Sequence, residues 1–207
     1  MGDEGTPSDG QPVEERDIER AADVIREGEL VVYPTETVYG LGADALDPAA
    51  IERVFDAKGR DRGNPVSMAV PSVAAALEFT APTARERRFM HEFLPGPVTV
   101  VVEGGEEVPD ALTAGRDRVG VRVPDHEIAL SLLEAVAPVT ATSANVSGRP
   151  SARTVDELDG DVRETTAMVL DGGETPGGGS TVVDVTAGEL HRRGRLADEI
   201  EAWLDGA

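Results

Sequence analysis

Apolar residues recur every three or four positions near the start of the chain, which predicts an amphipathic helix. In the segment 14–28, Ile18, Ala21, Ala22 and Ile25 fall on one helical face, and the final glycine ends the helix. We expect this face to pack against the rest of the fold.

A second helix is predicted over residues 47–59, next to the part of the sequence that carries most of the candidate chemistry. Asp47 is an expected N-cap, and Pro48 suits the first helical position. Because the helix stops at its last glycine, we expect Lys58 and Arg60 to project from its C-terminal end into a loop.

Short apolar runs alternate with further helical patterns, which predicts an α/β fold. The other predicted helices are 71–79, 82–94, 126–136 and 197–204, and the predicted strands are 29–34, 65–70, 97–103, 118–124, 138–143, 167–170 and 180–185. The order is not a regular βαβ repeat, so we expect a twisted mixed sheet with flanking helices. We expect an acidic, disordered leader over residues 1–12 and one domain over residues 13–207.

The strong negative charge of the chain limits the kinds of molecule that we expect it to bind. The formal net charge is −21, and Lys58 is the single lysine among 19 basic residues. Strong acidity with almost no lysine is typical of proteins adapted to high salt, where screening over roughly 3 Å makes the self-repulsion tolerable. An ordinary acidic protein is the alternative. Either way, the charge disfavours nucleic acids and anionic membranes as partners.

Several function classes are excluded by residues that the chain lacks. Without cysteine there is no disulfide, thiolate nucleophile or thiolate metal site. No apolar run reaches the length of a membrane span, and the acidic N-terminus is unlike a signal peptide, so we expect a cytoplasmic protein. His91, His126 and His191 are too far apart in sequence to suggest a metal site. The glycine-rich segment 172–179 lacks the lysine and the following helix of a phosphate-binding loop.

Polar residues collect where the predicted strands and helices end. The candidates are Thr35 and Thr37 after a strand, Lys58, Arg60, Arg62 and Asn64 after a helix, Arg118 and Arg122 on one strand face, and Ser143, Asn145, Ser147 and Ser151 in a turn. Hydroxyl, amide and backbone N–H groups suit a phosphate or a ribose, and the cations suit a polyanion. Together they indicate a pocket for a polyanion and a small polar molecule. For the basic cluster alone, salt bridges from a solvated loop are the alternative.

Five collinear motifs between about residues 30 and 192 resemble the YrdC family, also called TsaC, of threonylcarbamoyl-AMP synthases. The motifs are "PTETVYGLGADA", "AKGR" with "NP" after it, "VRVP", "TSANVSGRPS" and "GGGSTVVDVT". The resemblance implies the single-domain form of a YrdC-like twisted α/β fold around a large, cationic, concave cavity. It also implies an enzyme that joins L-threonine, bicarbonate and ATP into threonylcarbamoyl-AMP and pyrophosphate, for the threonylcarbamoyladenosine modification of tRNA.

The resemblance also assigns roles to individual residues. It places the family's catalytic tetrad on Lys58, Arg60, Ser143 and Asn145. It implies nucleotide contacts from Lys58, Arg60, Asn64, Ser143, Ser151 and Arg192, to which we add Arg118. It implies threonine contacts from Thr37, Arg122 and Ser180, to which we add Thr35. Ala69 stands where many members carry histidine, so a threonine contact is missing there or is supplied elsewhere.

The implied reaction has a simple physical basis. A carbamate formed from threonine and CO₂ attacks the α-phosphorus of ATP, and pyrophosphate leaves, so catalysis is mainly positioning and charge stabilisation shared with Mg²⁺. We expect Lys58 to contact the phosphates and Arg122 to clamp the threonine carboxylate. The sequence does not identify the Mg²⁺ ligands. A downstream tRNA-modifying transferase complex would receive the product.

Two other functions stay open at this point. A cationic concavity would suit double-stranded RNA or tRNA, as in a ribosome-maturation protein, although the acidity of the chain predicts weak binding. Carbamoyl transfer to a hydrogenase precursor is known where this domain is embedded in a larger protein.

Overall fold

A computed structural model describes residues 13–206, and the predicted leader over residues 1–12 lies outside this range. The helices are α1 Glu15–Arg26, α2 Pro48–Lys58, α3 Val73–Phe79, α4 Ala84–Phe93, α5 Asp110–Thr113, α6 Glu127–Ala135, α7 Gly160–Thr165 and α8 Ala197–Gly206, with a 3₁₀ turn at Val155–Glu157. The strands are β1 Val31–Tyr33, β2 Gly40–Gly42, β3 Ser67–Ala69, β4 Val98–Glu103, β5 Arg118–Arg122, β6 Val139–Ser143, β7 Met168–Val169, β8 Thr181–Asp184 and β9 Glu189–Arg192.

The strands form one twisted mixed sheet, which confirms the predicted fold class. Their order is β7-β1-β2-β6-β3-β5-β4-β8-β9. The pairs β1–β7, β3–β5 and β4–β8 are parallel, and the other neighbours are antiparallel. Strands distant in sequence are therefore neighbours at the centre of the sheet, where their polar residues come together.

Local sequence determines where the first two helices begin and end. The predicted face of α1 is buried, and α2 starts at Pro48 after Asp47, whose carboxylate accepts the backbone N–H of Ala49 at 2.9 Å. Gly59 follows α2 with φ +53°, a left-handed conformation that glycine adopts without a steric penalty. Both helix predictions are therefore confirmed.

Apolar side chains bury one face of the central strands and leave the other face free for the site. Along β4, Val98, Val100 and Val102 are fully buried in a valine-rich core beneath α4 and α8. Along β5, Val119 and Val121 point into the same core, so the alternate residues of that strand face the opposite side. The polar face of the sheet is the floor of a cavity.

Some elements were not predicted. Strand β2 consists of the residues Gly-Leu-Gly, which lack the β-branched run that marks a strand, and the short α5, α7 and β9 were also missed.

Among residues 13–206, no helix combines the length and the apolar character needed to cross a bilayer.

Candidate functional site

A cavity of about 1120 Å³ opens over the polar face of the central strands. Its lining combines strand residues with the loops that follow β1, α2, β6 and β7. Ten of the twelve residues assigned to the site from sequence line it: Thr35, Thr37, Arg60, Asn64, Arg118, Arg122, Ser143, Ser151, Ser180 and Arg192. Lys58 and Asn145 lie in its wall instead.

Arginine is the main charged residue of the cavity lining. Its arginines are Arg60, Arg116, Arg118, Arg122, Arg153 and Arg192, and its acidic residues are Asp117 and Asp184. Several of these arginines already have acidic partners, so their charge is not all available to a ligand. The arginines of the lining differ in this respect.

Arg122 is held in a nearly buried ion pair. Its Nη2 donates to Glu36 Oε1 at 2.8 Å and to Thr37 Oγ1 at 2.9 Å, and the side chains of Arg122 and Glu36 are each 12 % exposed. Thr37 Oγ1 is also 3.0 Å from Thr35 Oγ1, and Thr35 donates to the Val38 carbonyl at 2.7 Å. The two threonines therefore fix one edge of the guanidinium.

Arg118 is oriented by a carboxylate from a helix terminus. Its Nη2 donates to Glu86 Oε1 at 2.8 Å and to Asp184 Oδ1 at 3.2 Å. Glu86 also accepts from the Thr83 backbone N–H at 2.7 Å, which closes the capping box of α4, and from the Thr186 hydroxyl at 2.9 Å. Burial raises the pKa of Glu86, but these hydrogen bonds outweigh it and the pKa is lowered.

Arg60 and Arg192 have no carboxylate partner within residues 13–206. Arg60 donates to the carbonyls of Asn64 and Pro65 at 3.1 and 2.9 Å, and Arg192 donates to Ser180 O and Oγ at 2.9 and 2.6 Å. Burial lowers the pKa of both, and the positive charges of Arg122 and Arg60 lower that of Arg192 further. Two cations that repel each other and lack counter-charges form a site suited to an anion.

Lys58 does not project into a loop as predicted, because it is only 2 % exposed. Its Nζ donates to the carbonyl of Asn145 at 2.7 Å and also to the carbonyl of Ser143. Burial and the nearby Arg60 lower its pKa to about 8. These acceptors hold the ammonium against the end of β6 and the segment that follows it, and Lys58 is not among the residues that line the cavity.

The segment after β6 is organised by Asn145, which is 6 % exposed. Its Nδ2 donates to the carbonyls of Val146 and Arg149 at 2.8 and 2.9 Å, and its Oδ1 accepts the Ser151 hydroxyl at 3.3 Å. Asn145 therefore shapes the loop that presents Ser143 and Ser151 to the cavity.

Sequence reasoning missed Glu36 and Glu86, the carboxylates that orient two cavity arginines. Glu36 lies inside the motif "PTETVYGLGADA", and the sequence feature that could have indicated its role is an acidic residue between two threonines.

The predicted absence of a histidine metal site stays a prediction. Within the described residues, no three His, Cys, Asp or Glu side chains are grouped to hold a metal ion.

Comparisons with known proteins agree with this arrangement. A sequence profile of the Sua5/YciO/YrdC family, described as "Telomere recombination", matches residues 23–194. The threonylcarbamoyl-AMP synthase of Pyrococcus abyssi is 47 % identical over 178 residues, which cover 84 % of this chain and 52 % of that protein. The Bacillus subtilis protein of the same name is 36 % identical over 197 residues, which cover 90 % of this chain and 56 % of that protein. This chain therefore spans about half the length of these curated relatives.

A solved structure shares the fold. The crystal structure of P. abyssi Sua5 complexed with L-threonine superposes with a TM-score of 0.85 at 45 % identity, covering 93 % of this chain and 58 % of that one. The superposed part is therefore nearly all of this chain and just over half of the other.

Proposed function

The chain belongs to the Sua5/YciO/YrdC family, and we propose on this basis that it makes threonylcarbamoyl-AMP and pyrophosphate from L-threonine, bicarbonate and ATP. The observation that carries the proposal is one cavity in which a paired arginine, Arg122, lies near two arginines without acidic partners, Arg60 and Arg192. Arg122 with its acidic partner suits a small zwitterion such as an amino acid. Arg60 and Arg192 suit the phosphates of a nucleotide.

The threonine site of this proposal is the part of the cavity around Arg122. The guanidinium has five N–H donors, and the two contacts with Glu36 and Thr37 both use Nη2. Nη1 makes no hydrogen bond within residues 13–206, and we propose that it binds the carboxylate, whereas Nε is buried. The similar P. abyssi Sua5 structure is a complex with L-threonine, which supports the same amino acid here.

The nucleotide site of this proposal is the part of the cavity around Arg60 and Arg192, with Asn64, Arg118, Ser143 and Ser151 beside them. In an attack of the carbamate oxygen on the α-phosphorus, negative charge moves onto the departing pyrophosphate. Fixed guanidinium groups stabilise that charge without reorganising, and they hold the two reactants in line. Lys58 and Asn145 contribute by fixing the loop that carries the two serines.

Mg²⁺ is proposed to accompany ATP. Asp184 is a cavity carboxylate, but it already bonds Arg118, and the described residues contain no three-carboxylate group. The donor set therefore does not form a protein cage for a metal, and phosphate oxygens with water are the ligands that Mg²⁺ prefers in such sites.

A tRNA-modifying transferase complex is proposed to take the product.

Incubation of the protein with ATP, L-threonine and bicarbonate tests the proposal. Pyrophosphate release that requires all three, with threonylcarbamoyl-AMP identified by mass spectrometry, is the expected result. Arg60→Ala should abolish the release, and Arg62→Ala, a matched change on the exposed side of the same loop, should not. Pyrophosphate release that is unchanged without threonine would overturn the proposal.

A further inference from the structure

Tyr33, the last residue of β1, lies across the glycine strand β2. A β-carbon added at Gly40 would be 3.0 Å from Tyr33 Cζ and 3.3 Å from its hydroxyl oxygen, and one added at Gly42 would be 3.0 Å from Cε1. These distances are shorter than ordinary van der Waals contact, so only glycine leaves room for the ring. The two glycines therefore fix the position of the ring, which is 2 % exposed.

The hydroxyl group of Tyr33 has no hydrogen-bond partner among residues 13–206, although the ring is buried. Tyr33 lines the cavity, and the charges of Arg122 and Glu36 both act on its hydroxyl. The hydroxyl oxygen is not fully enclosed by protein, so it is open to a ligand in the cavity. The hydroxyl of the other tyrosine is bonded within the fold: Tyr39 donates to Gly173 O at 2.8 Å and accepts from Gly172 N at 3.1 Å.

We propose that Tyr33 is a substrate-binding residue whose hydroxyl donates a hydrogen bond to the carboxylate of the amino-acid substrate, next to Arg122. This inference rests on the proposed function and adds a contact to the same site. A carboxylate that approaches Arg122 also approaches the negative charge of Glu36. A neutral donor near Arg122 offsets this repulsion, because a hydrogen bond to a charged group is stronger than one between neutral groups.

The protonation state of Tyr33 agrees with a donor role. Burial raises the pKa of its hydroxyl to about 12, because the phenolate is poorly solvated there, and the lowering by Arg122 does not outweigh it. The group is therefore protonated throughout the physiological range. Since the ring is fixed against β2, the hydroxyl is already oriented before a ligand arrives, which reduces the entropy cost of the contact.

The test is Tyr33→Phe, which removes one oxygen atom and keeps the ring. We expect the KM for L-threonine to rise about tenfold or more, with the KM for ATP unchanged, and calorimetric binding of L-threonine alone to weaken by the same factor. Trp203→Phe is the control, because it removes a hydrogen bond to Glu92 outside the cavity lining. It should lower the melting temperature and leave the KM for threonine unchanged.

The outcomes separate this inference from the proposed function. If the wild type releases pyrophosphate and Tyr33→Phe has the same KM and the same Kd for threonine, the inference is overturned while the function stands. If the wild type binds threonine but makes no product, a weaker Kd in Tyr33→Phe supports the inference while the function fails. A wild type that neither binds threonine nor turns it over overturns both.

A second measurement does not depend on the variant folding. The chain has two tyrosines, so ring-labelled protein gives two tyrosine ring signals in an NMR spectrum, and Tyr39→Phe assigns them. Addition of L-threonine should shift the Tyr33 signal, and L-threonine methyl ester, which lacks the anionic oxygen, should shift it much less. An unchanged Tyr33 signal at saturating threonine would contradict the contact.

Discussion

The ammonium nitrogen of Lys58 lies 2.7 Å from the carbonyl oxygen of Asn145, and the Lys58 carbonyl accepts the Ser147 backbone N–H at 2.8 Å. The single lysine of the chain thus ties the end of α2 to the loop that presents Ser143 and Ser151 to the cavity. A compact ammonium can donate to two carbonyls in this enclosed space, whereas a planar guanidinium is larger and has a fixed geometry. A direct contact with a phosphate stays a prediction, and it would require Lys58 to exchange these bonds.

We predict that both Lys58→Arg and Lys58→Met lose most pyrophosphate release. Lys58→Arg must fit a larger group where the side chain is 2 % exposed, and overpacking of this kind costs about 1–3 kcal/mol. Its melting temperature should therefore fall. Arg62→Lys, which changes an exposed residue paired with Glu52 and Asp56, should leave both activity and melting temperature unchanged. Full activity in Lys58→Arg would show that the compact shape of the ammonium does not matter.

We predict that Glu86→Gln destabilises the fold by about 2 kcal/mol at neutral pH, because it replaces a charge-assisted hydrogen bond with a neutral one and leaves Arg118 with one carboxylate partner. Urea unfolding measures this difference. The folded pKa of Glu86 is below its unfolded value of about 4.3, so the stabilisation is complete above that value and is lost as the pH falls toward the folded pKa. The difference between wild type and variant should therefore shrink as the pH falls below about 4.3.

Glu78→Gln is the control for this experiment, since Glu78 is exposed on α3. Its stability should follow that of the wild type at every pH. A Glu86→Gln difference that stays constant down to pH 3 would mean that Glu86 has the same pKa in the folded and the unfolded protein.

We predict that L-serine is a poorer substrate than L-threonine. Serine lacks one methyl group, and losing that apolar contact costs about 1 kcal/mol, which corresponds to roughly fivefold in kcat/KM. Pyrophosphate release measured with each amino acid at matched ATP and bicarbonate gives this ratio. A serine rate equal to the threonine rate would show that the site does not contact the methyl group.

We predict weak binding of double-stranded RNA. The net charge is −21, and several cavity arginines are already paired, so few cations remain to release counterions from a phosphate backbone. A fluorescence titration should give binding that disappears near molar salt while threonylcarbamoyl-AMP synthesis persists. Tight binding that is insensitive to salt would favour the RNA-binding function instead.

Sequence patterns predicted the parts of the fold that depend on nearby residues. The buried face of α1 follows from a period of 3.6, and the shared face of Arg118 and Arg122 follows from a period of 2. The cap at Asp47 follows from its residue type and from Pro48 after it, and all three are confirmed. The site contacts depend on distant residues. Arg122 and Glu36 are 86 positions apart, and no local pattern pairs them.

The same reason explains the wrong expectation for Lys58. A lysine in the last turn of a helix normally points to solvent. The carbonyl acceptors that hold Lys58 lie 85 and 87 positions later in the chain, where no local pattern indicates them. Strand β2 was missed for a different reason. Its glycines are there to admit the ring of Tyr33, and glycine carries no strand signal of its own.

The carboxylate of Glu86 closes the first turn of α4 and also orients Arg118 on the cavity floor. The negative charge of Glu86 therefore serves both a helix terminus and a ligand site. Because of this, any ligand that changes the hydrogen bonds of Arg118 also changes the equilibrium between the closed and the locally opened first turn of α4. Amide hydrogen exchange at the start of α4 should then report whether the cavity is occupied, from a position outside the cavity lining. The linkage works in both directions, so loosening the turn by Thr83→Ala should weaken the binding of that ligand.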